Sequence, residues 1–138
     1  MYKGIAHLAF TVSDMEESLA FYCDKLGLEK AFSIEDDNGN PRIIYIKICN
    51  GQFIELFHGE KDKNDVFNNT IGYSHLCIEV EDINAVARLA AEKGITIDVP
   101  PIQGKDTNYQ CWIKDPDGNR IEFMQIMETS PQSKASRK

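Results

Sequence analysis

Two histidines and two glutamates occupy matching places in this 138-residue sequence. His7 and His75 begin the similar segments HLAFTVSD and HLCIEVED, while Glu55 and Glu122 lie within GQFIELF and GNRIEFM. Two neutral imidazoles with two carboxylates form an ordinary ligand set for Zn, Ni, Co, Fe or Mn. A carboxylate beside such a metal is also a candidate general base. The four residues therefore indicate a divalent-metal site.

The spacing of these residues reflects an internal repeat. At an offset of 68 residues, 7–31 aligns with 75–99 and His7 meets His75. After a gap of one residue, the offset becomes 67, and Glu55 then meets Glu122. A repeated segment usually means one supersecondary unit used twice, so equivalent residues should take equivalent structural positions.

Each copy of the repeat has the pattern of a β-α-β-β-β unit, with alternating apolar residues in strands and helical spacing between an Asp cap and a Gly stop. The elements predicted for the first copy are a strand over 4–12, a helix from Asp14 to Gly27, and strands around 28–35, 42–49 and 52–58. Those predicted for the second are a strand over 73–80, a helix over 82–93 ended by Gly94, and strands near 95–99, 109–114 and 119–126.

These units predict an α+β fold of two tandem βαβββ modules that form a concave, barrel-like sheet. Each sheet has one face covered by its own helix, and the bare faces would line a hollow of the kind that holds ligands. We expect a single domain over residues 1–127. Its predicted parts are the repeats 4–58 and 73–126 and the linker 59–72, followed by a disordered polar tail over 128–138.

Strand alternation places the four candidate ligands on the bare faces. A single histidine or glutamate in a strand is usually structural or solvated. Two carboxylates among apolar neighbours argue against a merely structural or solvated role, because an unpaired buried charge costs several kcal/mol or more. A divalent cation removes that cost. An ion pair of the glutamates with Arg120 or Lys47 is the alternative.

Composition limits the classes of partner. The net charge of −7 argues against nucleic acid and anionic lipid, which bind through Lys and Arg. No apolar run approaches the ~20 residues of a membrane span, and the N-terminus lacks the pattern of a signal peptide. We therefore expect a cytoplasmic protein that binds a small molecule. The 4 cysteines form no CxxC pair, which favours reduced, packed thiols.

Residues 4–126 resemble the vicinal oxygen chelate superfamily, which is built on paired βαβββ modules. The opening HLAFTVSD…SLAFYCDKLGLE and the ending IKDPDGNRIEFMQ resemble its glyoxalase I (lactoylglutathione lyase) branch. In that branch the metal ligands are His, Glu, His and Glu, which match His7, Glu55, His75 and Glu122.

The resemblance implies a reaction and its cofactor. A hemithioacetal of an α-oxoaldehyde and a thiol would become a 2-hydroxyacyl thioester through a metal-bound enediolate. Glu122 or Glu55 would be the catalytic base, with Glu122 favoured. The metal would be Ni, Co or Zn, with Fe or Mn as alternatives. The resemblance also implies a homodimer.

A further set of residues is expected to contact the substrate. Glutathione-dependent members of the branch carry an Arg four residues after the first His ligand, where this chain has Thr11, so another thiol or an oxo-acid is expected. Trp112 is equivalent to Tyr45, and core packing is the first interpretation of both, with pocket lining the second. The substrate-binding candidates are Thr11, Phe57, Lys105, Tyr109 and Trp112, with Asn108 in the same loop as Lys105.

Three other functions stay open. An epimerase of acyl-CoA thioesters would use nearly the same proton transfer. An iron extradiol dioxygenase would need only two histidines and one carboxylate, and would not need Glu55. A non-catalytic drug-binding protein on this scaffold usually lacks the metal ligands.

Overall fold

The structure is a computed structural model that describes residues 3–59 and 71–136. The chain divides into two compact units, Met1–Asn64 and Asp65–Lys138, and the division lies within the predicted linker 59–72. Residues 60–70 of that linker lie outside the described residues. Within the described part, no helix is long and apolar enough to cross a membrane.

The first unit is a four-stranded sheet with one helical segment. Its elements are β1 (His7–Val12), α1 (Met15–Leu19) continued by a π-helical segment (Ala20–Lys25), β2 (Glu29–Glu35), β3 (Pro41–Cys49) and β4 (Gln52–His58). The strand order is β1-β4-β3-β2, with β1 parallel to β4 and the other pairs antiparallel. This is the β-α-β-β-β unit that the sequence predicts.

The core of the first unit lies on one face of its sheet, as strand alternation requires. The buried apolar residues of the strands and the helical segment are Phe10, Val12, Phe21, Tyr22, Ile44, Ile46, Ile54 and Leu56. Residues of the opposite parity, beginning with His7, point to the other face. The predicted separation of the candidate ligands from the apolar row is therefore confirmed in this unit.

The helix of the first unit differs from the prediction in its second half. Asp14 caps it as expected, accepting a hydrogen bond of 2.9 Å from the amide of Glu17. From Ala20 to Lys25 the helix is π rather than α, and the amide of Leu26 bonds to the carbonyl of Phe21. A π segment accommodates one extra residue in a helix. The one-residue gap between the repeats falls at this end of the helix, which gives the physical reason.

The second unit repeats the arrangement. Its elements are β5 (Leu76–Glu79), α2 (Ile83–Lys93), β6 (Ile97–Gln103), β7 (Tyr109–Lys114), β8 (Arg120–Gln125) and α3 (Pro131–Ser136). The strand order is β5-β8-β7-β6, with β5 parallel to β8. Gly94 ends α2 in the left-handed conformation at φ 63°, where the sequence places the helix stop. The α+β class and the βαβββ order of both units are confirmed.

Two strands of the second unit differ from their predicted bounds. β5 is shorter than 73–80, so His75 lies immediately before the strand. β6 extends through Pro100 and Pro101, which the prediction placed after the strand end. Both prolines are tolerated because β6 is an edge strand whose pairing with β7 is irregular around them.

The C-terminal segment is not the disordered tail that its composition predicts. Residues 131–136 form α3, and Ser130 and Ser133 are buried. Asn108 anchors the start of this segment, because its side-chain oxygen accepts a hydrogen bond of 2.9 Å from the backbone amide of Met127. The prediction is therefore wrong for residues 131–136. A polar segment becomes ordered here through specific hydrogen bonds, which composition does not reveal.

Candidate metal-binding site

The first histidine–glutamate pair joins the parallel strands β1 and β4. The Nε2 atom of His7 lies 3.4 Å from the Oε2 atom of Glu55. Glu55 is only 6% exposed although it lies on the face away from the helix. Its carboxylate is thus nearly enclosed, while the His7 side chain is 46% exposed. The pair presents one buried and one accessible ligand to the same side of the sheet.

Aromatic side chains surround this first pair. Tyr45 lies opposite Glu55 in the register of β3 and β4, and its hydroxyl donates a hydrogen bond to Glu55, which raises the pKa of Tyr45. Phe32 stacks on Tyr45 with ring centroids 4.2 Å apart, and Phe53 lies at 6.1 Å from Tyr45. Tyr45 therefore lies beside the pair rather than in the buried core, so the structure does not support core packing, the first interpretation of this residue.

The second pair has the same form in the other unit. The Nε2 atom of His75 lies 3.1 Å from the Oε2 atom of Glu122, which is 5% exposed. The Nδ1 atom of His75 is 3.0 Å from the hydroxyl of Ser74. In the tautomer in which Nδ1 carries the proton, this hydrogen bond orients the ring and leaves the Nε2 lone pair free for a metal.

Two further side chains flank the second pair. Trp112 packs edge-on against His75 with ring centroids 4.7 Å apart, and its indole N–H donates to Gln110 at 3.0 Å. Cys77 lies beside Glu122 and its thiol donates to that carboxylate. Partial burial, with added repulsion from Glu122, raises the pKa of Cys77 to about 12, so the thiol stays protonated at neutral pH. Trp112 thus lines the pair, like Tyr45.

The geometry of each pair fits two adjacent ligands of one metal. With metal–ligand distances of about 2.0–2.2 Å, two ligand atoms lie roughly 2.9 Å apart at a right angle and roughly 3.4 Å apart at the tetrahedral angle. The observed separations of 3.4 and 3.1 Å lie within that range. Over residues 3–59 and 71–136, however, no group of three or more His, Cys, Asp or Glu is gathered. The structure therefore presents the four predicted ligands as two pairs, one in each unit.

The ion-pair alternative for the glutamates finds no support among the described residues. Each glutamate faces a histidine, and neither Lys47 nor Arg120 forms an ion pair with Glu55 or Glu122 there. The cationic partner that would neutralise the buried carboxylates is thus not a Lys or Arg of the described chain.

The other predicted substrate contacts divide into two groups. Thr11 and Phe57 are neighbours in the register of β1 and β4, on the face that carries Glu55. Tyr109 lies on the opposite face from Glu122, with the buried Cys111, and Lys105 is exposed in the turn between β6 and β7. Only Thr11, Phe57 and Trp112 are therefore placed beside a pair.

Asn108, which follows Lys105 in the same turn, is a structural residue. It is 1% exposed, and its side-chain amide donates to Asp106 at 2.8 Å in addition to accepting from Met127. Its hydrogen-bonding groups are used within the protein, so the expectation that it contacts substrate is not supported.

Sequence reasoning did not place Phe32 or Cys77 beside the pairs, and it considered Arg120 only as an ion-pair partner of the glutamates. The guanidinium carbon of Arg120 lies 4.4 Å from the centre of the Trp112 ring. A signal existed for Arg120, which occupies the repeat position of Phe53, two residues before each glutamate. Phe32 gave no such signal, because its partner in the second unit falls in the irregular strand β6.

Comparison with known proteins places the chain in a family. The model of the Glyoxalase/Bleomycin resistance protein/Dioxygenase superfamily matches residues 4–123. The chain belongs to this superfamily. A Synechocystis protein named a probable lactoylglutathione lyase is 31% identical over 126 residues, covering 88% of this chain and 94% of the relative. The predicted resemblance is confirmed at the level of the superfamily.

Two other proteins are also similar to this chain. The crystal structure of a glyoxalase family protein from Enterococcus faecalis superposes with a TM-score of 0.75 at 25% identity, covering 90% of this chain and 98% of that one. A bovine mitochondrial protein named methylmalonyl-CoA epimerase is 29% identical over 96 residues, 66% of this chain and 54% of the relative. The chain is thus similar to proteins with two different named activities.

Proposed function

We propose that this protein is a divalent-metal-dependent, glyoxalase I-like lyase. Its substrate would be the hemithioacetal of an α-oxoaldehyde and a thiol, and its product a 2-hydroxyacyl thioester. The observation that carries the proposal is the duplicated pair, in which a buried glutamate faces an imidazole at equivalent repeat positions. The similarity to a protein named as a probable lactoylglutathione lyase supports the choice of reaction.

His7, Glu55, His75 and Glu122 would hold the metal, as Ni, Co or Zn. When bound, such a cation polarises a carbonyl and stabilises negative charge on adjacent oxygens. The chain's own contribution is to keep two carboxylates largely out of water beside two imidazoles. Because enclosed carboxylates without a counter-charge are costly, a cation at this position also relieves an internal strain of the fold.

The proposed base is Glu122. Proton transfer between neighbouring carbons needs a carboxylate that takes the proton from one carbon and returns it to the other. Glu55 accepts a hydrogen bond from the Tyr45 hydroxyl, whereas Glu122 accepts one from the Cys77 thiol, a weaker donor. The carboxylate with the weaker hydrogen-bond donor beside it is more readily released to approach a substrate carbon. We further propose that the protein is cytoplasmic and acts as a homodimer.

An acyl-CoA epimerase is the second candidate, and the bovine relative is the observation that favours it. An epimerase also moves a proton at a carbon next to a thioester carbonyl, so the same glutamate would serve. The two reactions differ in their substrates. Isomerisation of a hemithioacetal, with no change in the configuration of an acyl-CoA thioester, would select the first candidate.

The choice of thiol gives a testable expectation for the metal-loaded protein. Thr11 stands where an arginine grips a carboxylate of glutathione in the resembling branch. Loss of a charge-assisted contact worth about 1.5–3 kcal/mol lowers affinity roughly ten- to hundredfold. We expect methylglyoxal adducts of smaller thiols to have a higher kcat/KM than the glutathione adduct at matched metal loading. A wide margin in favour of glutathione would make the protein an ordinary glyoxalase I.

A further inference from the structure

Arg120 is a cation on the sheet face of the second pair. It begins β8, two residues before Glu122, so both side chains lie on the same face. Its guanidinium lies over the ring of Trp112, and Trp112 packs in turn against His75. The hydrogen bond from the Trp112 indole to Gln110 holds the ring that supports the guanidinium. Arg120, Trp112 and His75 thus form a continuous surface that leads to the pair.

Arg120 forms no ion pair with a carboxylate of the described residues. The ion pairs formed by Lys or Arg over residues 3–59 and 71–136 are Arg88 with Asp82 and Lys114 with Asp98. Lys114 is the direct neighbour of Arg120 across β7 and β8, yet only Lys114 has a carboxylate partner, at 3.1 Å. Stacking on an indole occupies the face of a guanidinium and leaves its N–H donors free for a planar anion.

The first unit has no cation at the repeat position of Arg120. Phe53 occupies the repeat position of Arg120, and Tyr45 that of Trp112, with Phe32 stacked on Tyr45. Lys47 lies across from Phe53 on the face of the first pair, but only the second pair has a cation held against an aromatic ring, that of Arg120 on Trp112, among the described residues. A repeat that only held a metal would not require this difference between the surroundings of the two pairs.

We propose that Arg120 binds a carboxylate of the substrate and selects anionic adducts over neutral ones. This inference rests on the proposed function, since it names the class of substrate at the same site. A guanidinium held against Trp112 makes a bidentate contact with a carboxylate, and both partners are pre-oriented. Arg120 is then a specificity-determining residue, and the carboxylate lies on the same small molecule as the carbons that exchange the proton.

A matched pair of substrates tests this role. Methylglyoxal adducts of 3-mercaptopropionate and of its uncharged amide have nearly the same size and differ in charge. We expect the wild-type protein to prefer the carboxylate adduct by about ten- to hundredfold in kcat/KM. In Arg120→Met this preference should fall to about one. In Arg120→Lys, which keeps the charge without the bidentate fork, the preference should be intermediate. Lys114→Met is the control, and it should keep the full preference.

A binding measurement separates this inference from the proposed reaction. The two corresponding lactoyl thioesters, prepared chemically, are titrated into the metal-loaded variants by calorimetry. If no adduct is converted, the proposed reaction is wrong. The ratio of the two dissociation constants then shows by itself whether Arg120 binds a carboxylate. Equal affinities for the carboxylate and amide forms in the wild-type protein would overturn the inference, as would an unchanged ratio in Arg120→Met. Replacing methylglyoxal with a 2-oxoaldehyde that carries a carboxylate tests whether Arg120 binds a carboxylate of the aldehyde rather than one of the thiol.

Discussion

Glu122→Gln is expected to lower kcat by about 10²- to 10⁴-fold, the usual contribution of a positioned general base. Glutamine keeps the size of the side chain and one oxygen that can bind a metal, but it cannot take up a proton at neutral pH. The loss should therefore appear in turnover, with metal content measured by elemental analysis remaining at half or more of the wild-type value. Steady-state kinetics on the metal-loaded variant would measure the effect.

The matched control is Glu55→Gln, at the equivalent position of the first unit. Both glutamates are almost fully buried and both face a histidine, so loss of a charged ligand should affect them similarly. If Glu122 is the base, the Glu55 variant should retain distinctly more activity at equal metal content. A larger loss in Glu55→Gln would move the role of base to the first unit.

His75→Ala is expected to lose metal and activity together. Removing even an outer partner of a metal ligand costs roughly 10- to 100-fold in affinity or activity, and loss of the ligand itself should exceed this. The variant also leaves Glu122 enclosed without the imidazole that faces it. We expect metal affinity, measured by competition with a chromophoric chelator, to fall by more than about 100-fold. The isomerisation activity should become undetectable.

His58→Ala provides the control for this experiment. The chain has only 3 histidines, and His58 is exposed at the end of β4, outside both pairs. This variant should keep its metal and its activity. Full metal occupancy in His75→Ala, with a folded protein shown by circular dichroism, would remove His75 from the site.

The repeat is the reason that so much of the fold could be predicted. Strand period and the offset alignment placed His7 and Glu55 on the face opposite Phe10 and Ile54, and the structure shows that arrangement. Matching positions in two copies carry more information than one pattern, since each copy tests the other. The βαβββ order followed from the same argument.

Other features depend on interactions that a local pattern does not contain. The prolines of β6 appeared to end a strand, but an edge strand tolerates them. The polar tail becomes a helix because Asn108, far away in sequence, binds its beginning. Stacking of Arg120 on Trp112 depends on the register of β7 and β8, which brings the two side chains to one face.

The most direct test of the central claim is X-ray absorption spectroscopy of the protein loaded with Ni or Zn, combined with the metal content per chain. The number of imidazoles bound to each metal shows whether the two pairs act together. We expect one metal per chain, bound by two imidazoles and by carboxylate oxygens, because His7 and His75 would both be ligands of the same ion. Two metals per chain with one imidazole each, or a metal without imidazole ligands, would contradict the account.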